Sequence, residues 1–402
     1  MFTGKYPREV GAFDNKRLGE SEETLPEKLS EAGFTTRAFS ANPNISWPFG
    51  WDRGFDSFKG SWRLDPFQPG QNIFDWRSFI RRTGSRGLSK YPLALYECVT
   101  SDVDTIASLK FGLRLKLEDL GYRTHDDDGA KDAVSWIREM DVGEDEFLFV
   151  NLMEAHEPYL PPEGYRTVEY QSGDFFEATV GEPSFEPENV TSAYEDSVRY
   201  LSDVYKQMFD LLKSKYDLVV TVSDHGEMLG DDGVWGHVHG VYPPLTHIPM
   251  VLSGKMVDGG TDERVTSLLD LHATVLDVAG VDGFSRGESL LRDEEKANEE
   301  STVFIEDSGT SDERFQNLLD AGHRQSTLEP YRGSFEGIAS GDRFDYETPH
   351  GIEGYPEDVA PDESASEEIS QRSDEIPSAK EKETSEELTE SARQQLRELG
   401  YI

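Results

Sequence analysis

A single cysteine, Cys98, stands in the 402 residues, so no disulfide can close within the chain and the fold must rest on a packed core. Its setting, ALYECVTS, is apolar, which predicts a buried thiol rather than a nucleophile. No apolar run approaches the roughly 18 residues of a membrane span, and the N-terminus has no signal-peptide core. The expectation is a soluble, cytoplasmic chain, with export left open should residues precede Met1. Basic residues are also scarce: 39 Lys and Arg against 80 Asp and Glu give a net charge of −41. Nucleic acid and anionic membranes are therefore set aside as partners, since no basic patch is evident to attract phosphate. Such an anion repels itself over a Debye length of about 10 Å at 0.1 M salt. Molar salt screens that repulsion, and the composition reads as that of a halophile's protein, hydrated by its carboxylates.

Against these absences stand four short apolar runs, TTRAFSA (35–41), EFLFVNL (146–152), DLVVTVS (217–223) and IPMVLSG (248–254), the pattern of fully buried strands in a parallel sheet. Helical patterns alternate with them: LPEKLSEAG closing at Gly33, DDGAKDAVSWIREM, the long SAYEDSVRYLSDVYKQMFDLLKSKY, and RVTSLLDLHATVLDVAG closing at Gly280. Strand and helix in alternation predict an α/β fold, a doubly wound, mostly parallel sheet sandwiched by helices. Residues 1–355 would form this domain, with a helical insertion over 60–125. From 356 to 384 acids, serine and proline dominate, predicting a disordered acidic linker. A C-terminal helix over 385–402 follows, with Thr384 and Glu387 as a capping box and Leu388, Ala392, Leu396 and Leu399 as its apolar stripe.

In open α/β sheets ligands bind outside the carboxyl ends of the strands. Asn42 follows the first run, His156 follows the second in MEAHEPY, and Asp224-His225 follows the third, with His237 and His239 in the loop behind. A carboxylate and an imidazole side by side can share one cation where the chain bends, and Gly226 permits a bend. His247 and His272 are read as structural.

These segments together resemble the sulfatases of the alkaline phosphatase superfamily. MFTGKYP is similar to the tail of that family's nucleophile motif, FLFVNLMEAHEPYLPP to the segment with its substrate-contacting histidine, and TVSDHGEMLGDDGVWGHVHG to its second metal half-site. The resemblance runs from Met1 to about Leu291 and returns in the closing LRELGYI. It implies metal-dependent hydrolysis of sulfate esters on a sulfated sugar or small organic alcohol. Asp224 and His225 would bind one divalent cation, Ca2+ or Mn2+ ahead of Mg2+ or Zn2+. His156 and His237 would be catalytic, and Asn42 and His239 would contact substrate.

Three departures qualify what is implied. SANPNIS stands where many arylsulfatases carry Gly-Lys-Trp-His, which weakens aryl sulfate specificity. His225 replaces an asparagine, tilting the site from Ca2+ toward Mn2+ or Zn2+. The family's nucleophile and its paired metal-binding aspartates would lie before Met1. Two other readings fit the same residues: a phosphodiester or phosphonate monoester hydrolase of the same superfamily, and a catalytically inactive truncated binding protein.

Overall fold

The computed structural model describes residues 1–379 apart from 12–17, 20–21, 69–72, 75, 77–78, 80–82, 84–89, 102, 120–124, 238, 292–301, 311 and 321. The first regular helix of the sheet domain, α1 (Leu25–Glu31), starts at a reciprocal capping box. The Thr24 hydroxyl accepts from the Glu27 amide at 3.3 Å and the Glu27 carboxylate accepts from the Thr24 amide at 2.8 Å. Gly33, at φ +97°, turns the chain into β1 (Thr35–Ser40). β1 lies between β2 (Ser57–Gly60) and β3 (Glu146–Asn151), both parallel to it, with Ser40 opposite Gly60 on one side and Asn151 on the other. All three strands therefore deliver their carboxyl ends to one edge.

Two helices, α2 (Lys90–Thr100) and α3 (Thr105–Asp119), occupy the segment read as a helical insertion. Cys98 is fully buried there against Phe74, Trp76 and Phe79, as its apolar neighbours predict. α4 (Ala130–Glu139) and α5 (Pro187–Lys215) cover one face of the sheet. Tyr200, Val204, Met208 and Leu212 recur every four residues along α5 and close with Val134 and Ile137 of α4 over Phe39, the apolar stripe of an amphipathic helix. The other face packs on α1 and on α6 (Leu268–Ala279) through Leu25, Leu29 and Leu276 against Phe147. Helices on both faces of a parallel sheet give the expected α/β class.

Two features depart from expectation. β4 (Leu218–Val222) and β7 (Met250–Gly254) form a ladder of their own, antiparallel, in place of joining the parallel set. Nor are the runs fully buried: every residue of β3 is half-buried, and Val251 is 55 % exposed. Among the described residues β3 pairs with β1 alone and β4 with β7 alone, so each keeps one open edge that a neighbour would otherwise cover. Between them in sequence a short hairpin, β5 (Met228–Leu229) and β6 (Trp235–Gly236), follows β4.

Residues 302–355 hold a four-stranded antiparallel sheet, β8 (Thr302–Asp307), β9 (Phe335–Ser340), β10 (Arg343–Thr348) and β11 (Gly351–Tyr355), in the order β11-β10-β9-β8. The run expected to be disordered over 356–384 contains α7 (Ala365–Glu375), which corrects that reading. Ile369 and, just past its end, Ile376 pack on Phe304 and Ile338 of the sheet: two well-spaced apolar residues anchor a helix that composition alone marks as linker. The helix expected over 385–402 lies outside the described residues.

Arg8 ties this sheet to the N-terminal segment, pairing with Glu306, with Glu336 at 2.5 Å and with the Ser373 hydroxyl at 2.8 Å. Glu306 is only 4 % exposed, and removal of its cation leaves a buried carboxylate uncompensated. Arg8→Ala should therefore lower unfolding free energy by about 3 kcal/mol, read as a shifted urea midpoint at unchanged slope.

Candidate functional site

Asp224 and His225 follow β4 directly. The Gly226 amide donates to the Leu245 carbonyl at 2.8 Å, and a Cβ on Gly226 would stand 1.9 Å from the Pro244 oxygen. The glycine thus serves a close approach of two backbones. Gly226→Ala should cost about 3 kcal/mol of stability by overpacking and shift the Asp224-His225 turn, a loss measurable by urea unfolding.

His225 Nδ1 lies 2.8 Å from the Gly226 carbonyl oxygen, which assigns it as the donor and leaves Nε2 with its lone pair. That Nε2 stands 3.9 Å from Asp224 Oδ1, a separation one cation can bridge at about 2.0–2.2 Å from each ligand. The two side chains are 40 % and 60 % exposed, open to a ligand. Carboxylate oxygen and neutral imidazole are donors that a divalent cation accepts, so the pair fits part of a coordination sphere. Among the described residues no set of three or more His, Cys, Asp or Glu gathers closely enough to complete one.

His237, immediately after β6, stacks on His225 with ring centres 4.3 Å apart and meets His156 edge-on at 4.9 Å. Three imidazoles from three separate strand ends thus share one place with Asp224. Both carboxylate oxygens of Glu227 lie 3.0 Å from His237 Nδ1, and Glu227 is only 4 % exposed. This carboxylate holds Nδ1 as the donor and fixes the ring. His156 Nδ1 lies 2.6 Å from the Glu157 carbonyl oxygen. Burial, then the neighbouring His237, push the His156 imidazolium down to about 3, with Arg63 and His225 adding to the effect. His156 is thus neutral at pH 7 and its Nε2 is an acceptor. A bound anion would favour protonation and let it donate.

The remaining two expected residues have other surroundings. Asn42 Oδ1 accepts from the Asn44 amide at 2.9 Å, an Asx turn that shapes the loop after β1. His239 is 2 % exposed, among the rings of Phe176, Tyr242, Tyr331 and Phe335, and among the described residues neither ring nitrogen has a hydrogen-bond partner. Burial lowers its pKa to about 4. The structure encloses it with aromatics, whereas His225 and His156 gather at His237.

Two residues at the site were missed in sequence. Glu227 stands in plain view within Asp-His-Gly-Glu, but nothing local says that it will reach ten residues on to His237. Arg63 follows β2 by three residues, is 8 % exposed, and donates to Asp128 at 2.8 Å while its charge acts on His156. β2, SFKG, is too short to stand out as a strand, and without it Arg63 has no assigned edge.

Glu154, on the same loop as His156, accepts from the Ala130 amide at 2.7 Å and the Met153 amide at 3.1 Å. Burial, then the charges of Asp128 and Asp127, raise it from 4.5 to about 8. A raised folded-state value means that the stability it contributes is complete below pH 4.5 and lost as pH climbs through about 8. Relative to Glu154→Gln, the wild type should lose melting temperature steadily from about pH 5 to about pH 8.5. A constant gap between the two would refute the assignment.

The family model described as Sulfatase matches residues 1–281. The low-salt glycan biosynthesis sulfotransferase Agl7 of Haloferax volcanii is 31% identical over 137 residues, 33% of this chain and 33% of that protein. The match thus spans about a third of the relative's length. Among solved structures, the phosphonate monoester hydrolase SpPMH from Silicibacter pomeroyi superposes with a TM-score of 0.59 at 18% identity, over 93% of this chain and 83% of its own. BT4656, solved with its substrate D-glucosamine-2-N,6-O-disulfate, gives 0.54 at 14% identity, over 93% and 84%. At these identities the structural likeness speaks for the fold alone.

Proposed function

Because this chain belongs to the sulfatase family, whose model matches residues 1–281 of its 402, we propose that it cleaves sulfate esters of a sulfated sugar or another small organic alcohol. The observation that carries this reading is the meeting of His156, His225 and His237 beside Asp224 at the strand ends. Four groups able to donate to, or bind a cation for, a tetrahedral anion stand there together. Asp224 and His225 would hold one divalent cation, Mn2+ or Ca2+, which when bound polarises an ester oxygen. His237, oriented by Glu227, would bind the anion through Nε2 and hold a proton there, with the Glu227 carboxylate stabilising the imidazolium. His156 would take a proton from solvent as the ester anion docks and donate it to the departing alcohol oxygen, the sulfuryl group passing in net to water. Asn42 would shape the rim.

The same groups suit a phosphodiester or a phosphonate monoester, and the Haloferax relative's name points to transfer of the sulfuryl group to an acceptor other than water. All three are separated by one experiment on the full-length natural protein. Turnover is compared on matched sulfate, phosphodiester and phosphonate esters, with and without a saccharide acceptor. Faster phosphodiester or phosphonate cleavage would overturn the sulfatase reading, and binding of a sulfated sugar without turnover would make the protein an inactive binder.

A further inference from the structure

At the carboxyl end of β2 lies a cavity whose lining includes none of the histidines gathered at His237. Its volume is about 470 Å3, within the range of about 300–1,000 Å3 typical of small-molecule sites. Three aromatic rings face it, Trp47, Phe58 and Trp62, together with Lys59, Gln68 and Asp132. Trp47 stands on a short 3-10 turn after β1, and Phe58 and Lys59 belong to β2. Trp62 opens the 3-10 helix that follows, Gln68 ends it, and Asp132 sits in the first turn of α4.

The rings are held in place before any ligand arrives. The Trp62 indole donates to the Asp127 carbonyl at 2.9 Å and stacks on His125, with ring centres 4.6 Å apart and planes 4° from parallel. Trp47 meets Phe58 edge-on at 5.1 Å. Charge in the lining is balanced. Asp65, also on the wall, accepts from Arg114 at 2.7 Å and from Gln68 at 3.2 Å. Beside it Lys59 and Asp132, one of each sign, are exposed at the rim. An anion meets Asp132 as well as Lys59, and an organic cation meets Lys59 and the Arg114 behind Asp65, so neither sign is selected. Fixed aromatic planes with donors and acceptors between them suit a ligand that is apolar on its faces and hydroxylated round its edge. A sugar ring has that form: its C–H groups pack on an aromatic face while its hydroxyls reach carboxylate, amide and ammonium.

Position links the cavity to the histidines. β2 and β3 flank β1, with Gly60 and Asn151 both opposite Ser40, so at the usual strand spacing the two ends stand about 10 Å apart. The start of α4 joins them. The Ala130 amide, two residues before Asp132, donates at 2.7 Å to Glu154, two residues before His156. Arg63, next to Trp62, acts on His156 through its charge.

We propose that this cavity is a saccharide subsite: an unsulfated ring of an oligosaccharide packs on Trp47 and Trp62 with its hydroxyls on Lys59, Gln68 and Asp132, while the ring bearing the ester lies at His156 and His237. The second half of this statement rests on the hydrolysis proposed above; the first half does not. The natural substrate is then an oligosaccharide in place of a monosaccharide or a small alcohol.

The test is retention of the labelled full-length protein, in molar KCl, on a glycan array that displays neutral and sulfated sugars from monosaccharides upward. Neutral oligosaccharides should retain it. Trp47→Leu keeps an apolar side chain against the core but removes the ring, and should weaken retention about tenfold. Lys59→Ala with Asp132→Asn changes exposed positions only, so folding is kept, and retention should fall severalfold. Asp224→Ala should hold neutral sugars as the wild type does. Retention of no neutral sugar, or undiminished retention by both cavity variants, would overturn the subsite and leave the hydrolysis standing. Neutral sugars retained without turnover of any sulfate ester would do the reverse. On substrates, Trp47→Leu should raise KM for a sulfated trisaccharide about tenfold and leave kcat, and KM for the sulfated monosaccharide, unchanged. A fall in kcat on both would overturn the subsite, because the ring would then serve the histidines.

Discussion

Replacing His237 with alanine in the full-length protein is expected to lower kcat on a sulfate ester by about 10²–10⁴-fold, the usual worth of a positioned acid–base group, with a smaller change in KM. His237 is the ring in contact with both other histidines, 4.3 Å from His225 and 4.9 Å from His156. Its loss removes a donor from the ester and opens the space between the other two rings. The carboxylate behind it gives a graded control. Glu227→Gln keeps an oxygen to accept from Nδ1 but loses the charge that favours the imidazolium, so about a tenfold loss in kcat is expected, in the range of supporting groups behind a functional histidine. Steady-state kinetics on the three proteins checks the order. Equal losses for Glu227→Gln and His237→Ala would mean that Glu227 itself touches the substrate.

The parts of this site that could be read in sequence are those that immediately follow long, strongly apolar strands. His156 lies five residues past β3 and Asp224-His225 two and three past β4, so each follows the carboxyl end of an apolar run; because β4 lies in a separate antiparallel ladder among the described residues, their meeting rests on the ring contacts at His237. Arg63 hangs on a four-residue strand with a glycine at its end, and its placement depends on a ladder to β1 that no periodicity announces. His239 stands in the same loop as His237, with one residue between them, yet its ring lies among Phe176, Tyr331 and Phe335; the flanking glycines, Gly236 and Gly240, have φ of +73° and +85°. The sheet of β8 to β11 was not read from the sequence: Phe344, Tyr346 and Thr348 alternate in RFDYET, but Asp345 between them is buried as well. Gly337 and Gly354 interrupt the pattern in the flanking strands, where each backbone passes too close to a neighbour for a side chain.

Loss of Asp224 or His225, the pair proposed to hold a cation, is expected to have a still larger effect, and to leave the fold in place. Asp224 is 60 % exposed on its side chain, so Asp224→Ala removes no core contact and should change stability by no more than about 0.5 kcal/mol. Metal content measured by elemental mass spectrometry should fall below one equivalent, and turnover should drop by about 10³-fold or more, since the ester loses its Lewis acid as well as its anchor. Asp224→Asn retains an oxygen but not its charge, and should recover activity at high metal concentration where the alanine variant does not. His225→Ala removes both a ligand and the ring on which His237 rests, so its defect should resist added metal more than that of Asp224→Asn. The decisive comparison is the double variant Asp224→Ala/His237→Ala. Groups that act in one step are strongly non-additive, so its turnover should lie close to that of Asp224→Ala alone. A loss equal to the product of the two single losses would show that the cation pair and the histidine serve different steps.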